Sequence, residues 1–176
     1  MRLAPATISL ACMLVALPGQ AEESDRPPGI PKASFLIGLG TATGWVGGQL
    51  EIYFADGRFS SFLGAGYTPA LEDSPAVGLT GALGMRAFTG GRVHRGFLEL
   101  SVSQIVVEEG LSVPGERTAN GLYGPGVQLG YQLLKPKGFT FLASAGVGVV
   151  VGGHPGHNRL QALATIALGK TWRRQQ

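Results

Sequence analysis

The sequence contains few charged residues. Lys, Arg, Asp and Glu together make up 14% of its 176 residues, whereas roughly 25% is usual in soluble domains. Hydrophobic residues make up 44%, which excludes an intrinsically disordered chain. The 14 Lys and Arg exceed the 11 Asp and Glu only slightly, and no basic cluster with interleaved aromatic residues occurs. Nucleic acid is therefore not an expected partner.

Cysteine and long apolar runs are also scarce. The single cysteine, Cys12, excludes a disulfide-stabilised scaffold and a cysteine-rich zinc site. Beyond the N-terminus, no continuous apolar run reaches the roughly 18 residues that a membrane-spanning helix requires. Glycine, by contrast, is abundant at 29 residues, more than twice the average share of about 7%. These features together favour an all-β protein associated with a membrane.

The N-terminus has the pattern of a secretory signal. A basic start at Arg2 is followed by an apolar stretch and then by small residues at Gly19 and Ala21, which predicts cleavage after Ala21. Residues 1–21 are therefore interpreted as a signal peptide. Residues 22–32 are polar and rich in proline, which is typical of a lead-in segment. We expect one barrel domain over residues 33–172 and a basic C-terminal tail over residues 173–176.

From Ala33 onward, apolar and small polar residues alternate with a period of two. In the run 46–54, for example, Leu50 and Ile52 fall on one face, while Gln49 and Glu51 fall on the other. This period is that of a β-strand. Eight such runs occur, and most have the roughly 9–11 residues that a tilted strand needs to cross a bilayer.

The connections between the runs alternate in length. Short turn sequences occupy residues 55–58, 89–91 and 135–138, and longer polar segments occupy residues 69–75, 109–120 and 152–158. The connection at 41–44 is short. This pattern predicts an eight-stranded antiparallel up-and-down transmembrane β-barrel, with both termini and the short turns on the periplasmic side. The predicted turn end is basic, and its cations are Arg58, Arg92, Arg95, Lys135, Lys137, Arg173 and Arg174, against Asp56 alone.

The composition of the two strand faces indicates whether each face meets water, lipid or the lumen. The polar face is mostly Gly, Ser, Thr and Gln, which suits the narrow lumen of an eight-stranded barrel. The apolar face suits lipid. A soluble, periplasmic, lipocalin-like binding barrel remains an alternative, although its outer face would need Lys, Glu and Asp to meet water.

The last strand adds a resemblance to a known group. The signal peptide, the eight glycine-rich amphipathic runs and the final segment 167–172 (ALGKTW) resemble small outer-membrane β-barrel proteins of the OmpA/OmpX-like type. The resemblance implies a porin-like strand architecture in the cell outer membrane of a Gram-negative organism. It also implies contact with outer-membrane lipid, lipopolysaccharide and the outer-membrane assembly machinery, and no cofactor. Trp172 matches the terminal aromatic assembly signal, although Arg173 to Gln176 follow it.

Candidate site residues occur at the lumen and at one loop. Glu51, Arg86 and Glu99 all point to the predicted lumen, where a charge needs a partner. We expect Arg86 to bridge the two glutamates in a structural polar network. His154 and His157 form a His-x-x-His pair that can start a metal site. No Cys, Asp or Glu is adjacent to them, so no metal is expected.

The expected function is non-enzymatic: a structural, adhesive or envelope-maintaining outer-membrane barrel. A lipid A-modifying barrel enzyme is the alternative from another class. Such a hydrolase needs a nucleophile beside a histidine. The sequence has no Gly-x-Ser-x-Gly elbow and no serine next to either loop histidine, so no catalytic residue is assigned.

Overall fold

A computed structural model describes residues 29–40, 45–68, 78–113, 116–151 and 160–174, with the backbone alone described over 104–122. Eight strands account for most of these residues. Their bounds are β1 Ile30–Gly40, β2 Val46–Phe54, β3 Phe59–Thr68, β4 Gly78–Gly90, β5 His94–Val113, β6 Glu116–Leu134, β7 Phe139–Val149 and β8 Leu160–Arg174. In the described ranges, no helix has the length and apolar character needed to cross a membrane.

The strands form a closed barrel in which every strand pairs with its neighbours along the chain, and β1 pairs with β8. All eight pairings are antiparallel. The prediction of an all-β, eight-stranded, up-and-down barrel is thus confirmed. Followed once around the barrel, the register shifts by about ten residues, a stagger that requires the strands to tilt by roughly 40° from the barrel axis.

Tight turns join the strands at one end of the barrel. In the β6–β7 turn, Pro136 follows Lys135, and the Gly138 amide donates to the Lys135 carbonyl at 2.9 Å. Gly138 has a φ of +90°, a backbone conformation that favours glycine. The Thr171 amide donates to the Gly138 carbonyl at 2.7 Å, so the turn is fixed against β8.

Strands β5 and β6 are longer than the sequence pattern predicted. Residues 109–120 were expected to form a polar loop, but β5 continues to Val113 and β6 begins at Glu116. The backbones of the two strands pair as far as Val113 and Glu116, and the Pro-Gly dipeptide at 114–115 is a strong turn sequence that explains this position. The loop prediction was therefore wrong.

The barrel strands also extend past the predicted domain bounds. Strand β1 begins at Ile30, within the expected lead-in, and β8 ends at Arg174, within the expected tail. Ile30 pairs with Arg174. The two chain segments thus extend each other's pairing at the turn end.

The two faces of the barrel differ sharply in chemistry. The buried, inward side chains include a small apolar cluster around Leu36 and Leu142, but most are polar: Ser34, Gln49, Glu51, Ser60, Arg86, Arg95, Glu99, Gln128, Gln132, Thr140, Thr165 and Thr171. The outward side chains are large and hydrophobic, and many are more than half exposed, such as Leu79, Leu129 and Leu63. The alternation in the sequence therefore separates a polar interior from an apolar exterior.

Several interior glycines are required by close strand approach. A Cβ on Gly146 would overlap the Val127 carbonyl oxygen, whereas a Cβ on Gly78 would meet nothing within 4 Å.

We expect Gly146→Ala to lower the free energy of unfolding by about 2 kcal/mol, since overpacking typically costs about 1–3 kcal/mol. Gly78→Ala is the matched control and should change it little. Urea unfolding in detergent micelles, followed by tryptophan fluorescence, measures both; equal effects would contradict the close approach.

Candidate functional site

A buried ion-pair cluster lies across the lumen. Arg86 on β4 donates from Nε to Glu99 Oε2 at 2.8 Å and from Nη1 to Glu51 Oε1 at 3.0 Å. All three side chains are at most 2% exposed. Glu99 lies on the adjacent strand β5, but Glu51 lies on β2, which does not pair with β4. The guanidinium therefore connects strands that share no backbone hydrogen bonds.

Aromatic rings enclose the guanidinium. Arg86 Cζ lies 4.2 Å from the centre of the Phe62 ring and 5.2 Å from that of Phe97, a range in which cation–π attraction operates. Glycines leave room for these rings, because a Cβ on Gly130 would overlap the Phe97 ring and one on Gly84 would lie 2.7 Å from Phe62. Glycine on the inward face is thus what allows bulky aromatic and arginine side chains to fill a narrow lumen.

The oxygens of Glu51 have further donors. The Ser60 hydroxyl donates to Oε1 at 2.6 Å, and the Tyr53 hydroxyl donates to Oε2 at 2.6 Å. Gln132 Nε2 lies 3.4 Å from Oε2 and 2.8 Å from the Tyr53 hydroxyl. A buried carboxylate with three kinds of donor is satisfied, which offsets much of the cost of removing it from water.

Glu99 also accepts a hydrogen bond from a buried side chain other than Arg86. Gln128 Nε2 donates to Glu99 Oε1 at 2.8 Å, and the Ser144 hydroxyl donates to Gln128 Oε1 at 3.1 Å. The network therefore includes side chains of all strands from β2 to β7. These side chains cross the lumen and hold one another in place through hydrogen bonds.

A second arginine lies nearer the turns. Arg95 Nη1 donates to the Gly57 carbonyl at 2.9 Å, and Nη2 donates to Gln132 Oε1. Its Cζ lies 4.0 Å from the centre of the Phe88 ring and 5.1 Å from that of Tyr53. Arg95 was expected in a periplasmic turn, but it is the second residue of β5 and is 5% exposed. Among the buried side chains of the described residues, two arginines and two glutamates thus balance in charge.

The interior half away from the turns carries small hydroxyl side chains beside the buried Leu163. Thr80, Ser101, Ser103 and Thr165 are buried, and their hydroxyls have no hydrogen-bond partner among the described residues. Among the side chains that the structure describes, the buried charges of the lumen lie in the half nearest the turns.

The sequence-predicted candidates have different locations. Glu51, Arg86 and Glu99 are brought together, and Trp172 lies on the outer face, half exposed. His154 and His157 lie outside the described residues. Within the described ranges, no group of three His, Cys, Asp or Glu side chains is placed to hold a metal ion.

Sequence reasoning missed the residues that complete the network. Tyr53, Gln128 and Gln132 lie on the polar face of the alternating runs but were not named as site residues, and Arg95 was assigned to a turn. The period of two could have found all four. Tyr53 lies two residues from Glu51, and Arg95 lies four residues from Glu99, so each points to the same side as its glutamate. Gln128 pairs with Glu99, and Gln132 pairs with Arg95.

Comparison of the chain with protein-family models, curated proteins and solved structures found no significant match.

Proposed function

We propose that this chain is an integral outer-membrane β-barrel whose filled lumen makes it a structural anchor rather than a conduit. In this role the barrel holds the loop end at the cell surface for envelope maintenance or adhesion, and it performs no enzymatic chemistry. The observation that carries the proposal is the apolar exterior around a polar interior. A soluble barrel has the opposite requirement, since water meets its outer face.

The outer aromatic side chains support this proposal by their heights along the barrel. One group lies at the turn end, and it comprises Phe35, Phe54, Phe59, Tyr131, Phe139 and Trp172; the other lies at the loop end, and it comprises Trp45, Tyr67 and Tyr123. Aliphatic side chains occupy the zone between them, among them Leu63, Leu83, Leu100, Leu129 and Ile166. Aromatic girdles that flank an aliphatic band are the pattern of a barrel in a bilayer.

The spacing of the two girdles matches a membrane. Trp45 and Phe54 are about nine residues apart, which at about 3.3 Å per residue and a tilt of roughly 40° gives about 23 Å along the axis. The apolar band of an outer-membrane barrel is about 25 Å tall. An isolated ligand-binding barrel has no need of such a band on its outside.

The lumen supports a structural role. Side chains of six strands, β2 to β7, meet at the Arg86 cluster, and Leu36, Phe97 and Leu142 pack beside it. An eight-stranded barrel is narrow enough for side chains to fill. We therefore expect no ion conduction through the protein in planar bilayers.

Fractionation with heat-modifiable gel migration tests the proposal. We expect the mature protein in the outer-membrane fraction, and we expect its SDS-gel band to shift between unboiled and boiled samples, because a closed barrel resists SDS until it is heated. A soluble band without a shift would contradict the proposal and favour the lipocalin-like alternative. Mass spectrometry of lipid A, with and without expression of the chain, separates the enzyme alternative, which requires an acyl change.

A further inference from the structure

Positive charge collects on one side of the barrel at the turn end. The side chains of Lys32, Lys135, Lys137, Lys170 and Arg174 are all exposed, and we call them the cationic patch. The register places them together: Lys170 pairs with both Phe35 and Phe139, and Arg174 pairs with Ile30. No acidic residue lies in the described parts of these strands or of the β6–β7 turn.

The fold holds the patch in a fixed shape. Arg173 Nη2 donates to the carbonyls of Leu134 and Lys135, at 2.9 Å in each case. With the Thr171–Gly138 hydrogen bond, these contacts fasten the β6–β7 turn to β8. The two lysines of the turn are therefore held beside Lys170 rather than left on a free loop.

The surroundings of these charges are amphipathic. Lys135, Pro136, Lys137 and Phe139 line a surface groove of about 380 Å³. Trp172 and Phe35, both close to half exposed, lie next to the groove on β8 and β1. A ligand that fits must offer negative charge toward the turn and apolar chains toward the aliphatic band. Lysine side chains at such a boundary direct their charged ends to the polar side.

We propose that the cationic patch binds the headgroup of an anionic glycerophospholipid, with the acyl chains lying along Phe35, Phe139 and Trp172. The inference rests on the proposed membrane function, because it assigns the turn end to a phospholipid leaflet. Anionic lipid attracts lysine and arginine at a membrane surface. The rest of the turn end carries Arg58 and Arg92 as exposed cations, and there the exposed Asp56 offsets part of the positive charge.

The two tryptophans of the chain make the inference measurable. Trp172 lies beside the cationic patch, and Trp45 lies in the girdle at the opposite end. The mature chain is folded into two kinds of phosphatidylcholine vesicle. One contains a small fraction of bromine-labelled phosphatidylglycerol, and the other contains the same fraction of bromine-labelled phosphatidylcholine. Bromine on the acyl chains quenches a tryptophan that it touches. Trp45→Phe leaves Trp172 as the only reporter, and Trp172→Phe leaves Trp45.

We expect Trp172 to select labelled phosphatidylglycerol over labelled phosphatidylcholine by about fivefold, since each cation near the surface adds attraction. Trp45 should show no preference. High salt should reduce the preference of Trp172, because exposed charges are screened. In the Trp45→Phe background, Lys137→Gln with Lys170→Gln should bring the preference close to onefold. Arg58→Gln with Arg92→Gln removes the same charge elsewhere on the turn end and should leave the preference intact.

Each contrary result has a distinct meaning. Equal quenching of Trp172 by the two labelled lipids would overturn the lipid site while leaving the membrane barrel in place. Quenching of neither tryptophan would overturn the membrane function itself. An equal loss in the Arg58/Arg92 variant would show diffuse attraction by the whole turn end and would overturn the patch. Polyglutamate can also be added to the detergent-solubilised barrel. If it changes the emission of Trp172 as strongly as phosphatidylglycerol does, the cationic patch binds a soluble acidic polymer, and the lipid site is overturned.

Discussion

Arg86→Met is expected to lower the free energy of unfolding by about 3–5 kcal/mol, the usual cost of removing one partner from a buried charge network. Methionine replaces most of the arginine's volume, so the loss reports charge rather than an empty space. Glu51 and Glu99 would remain in the interior without the guanidinium that now donates to both at 3.0 and 2.8 Å. Urea unfolding in detergent micelles, followed by tryptophan fluorescence, measures the change.

Two further variants separate charge from side effects. Arg58→Met makes the same substitution at an exposed turn residue and should stay within about 0.5 kcal/mol of the unaltered chain. The triple variant Glu51→Gln/Arg86→Met/Glu99→Gln removes both carboxylate charges together with the cation. It should recover most of the stability lost in Arg86→Met, because no uncompensated charge remains. An unchanged unfolding midpoint in Arg86→Met would contradict the pairing.

The expected size of this effect follows from the position of the network. Backbone hydrogen bonds connect each strand only to its two neighbours, so they do not by themselves fix the cross-section of the barrel. Arg86 reaches from β4 to Glu51 on β2, and Gln132 on β6 reaches Tyr53 and Glu51 on β2. These contacts cross the lumen. These side chains therefore stabilise the cross-section of a barrel whose interior has little hydrophobic core.

Much of this fold could be predicted because one physical pattern dominates the sequence. A period of two assigns each side chain to a face without knowledge of its neighbours, and short turn sequences give the antiparallel order. Glu51, Arg86 and Glu99 stood out because they are charges on a face of otherwise small, neutral residues. Their pairing then followed from the cost of an isolated buried charge.

The remainder depends on register, which the alternation does not encode. Arg95 reaches the Gly57 carbonyl and Gln132 only because of the stagger around the barrel, and a residue next to a turn can face either water or the lumen. The long β5–β6 pair was missed for a related reason. Its polar residues resemble a loop, and only the Pro-Gly dipeptide after Val113 marks where the chain reverses.

Leu129→Arg is expected to lower the free energy of unfolding in phospholipid vesicles by about 2–4 kcal/mol, because a charge on the lipid face costs most at the bilayer midplane. Leu129 lies on the outer face of β6, between the two aromatic girdles, and is 69% exposed. Val151→Arg is the matched control. Val151 is 65% exposed, but it lies two residues beyond the end of β7, at the loop end, where the same charge should cost about 0–1 kcal/mol.

The comparison distinguishes lipid from water on the outer face because the two sites are almost equally exposed. If water surrounded the barrel, arginine would be hydrated at both sites, and neither variant would lose more than about 0.5 kcal/mol. A lipid-facing band predicts instead that the cost depends on depth. Equal, small effects would contradict the membrane proposal, and the exposed leucines would then have to meet a protein partner. A large loss at Leu129 alone, measured in vesicles that contain no other protein, would assign the apolar exterior to lipid, because water would hydrate the arginine equally at both heights.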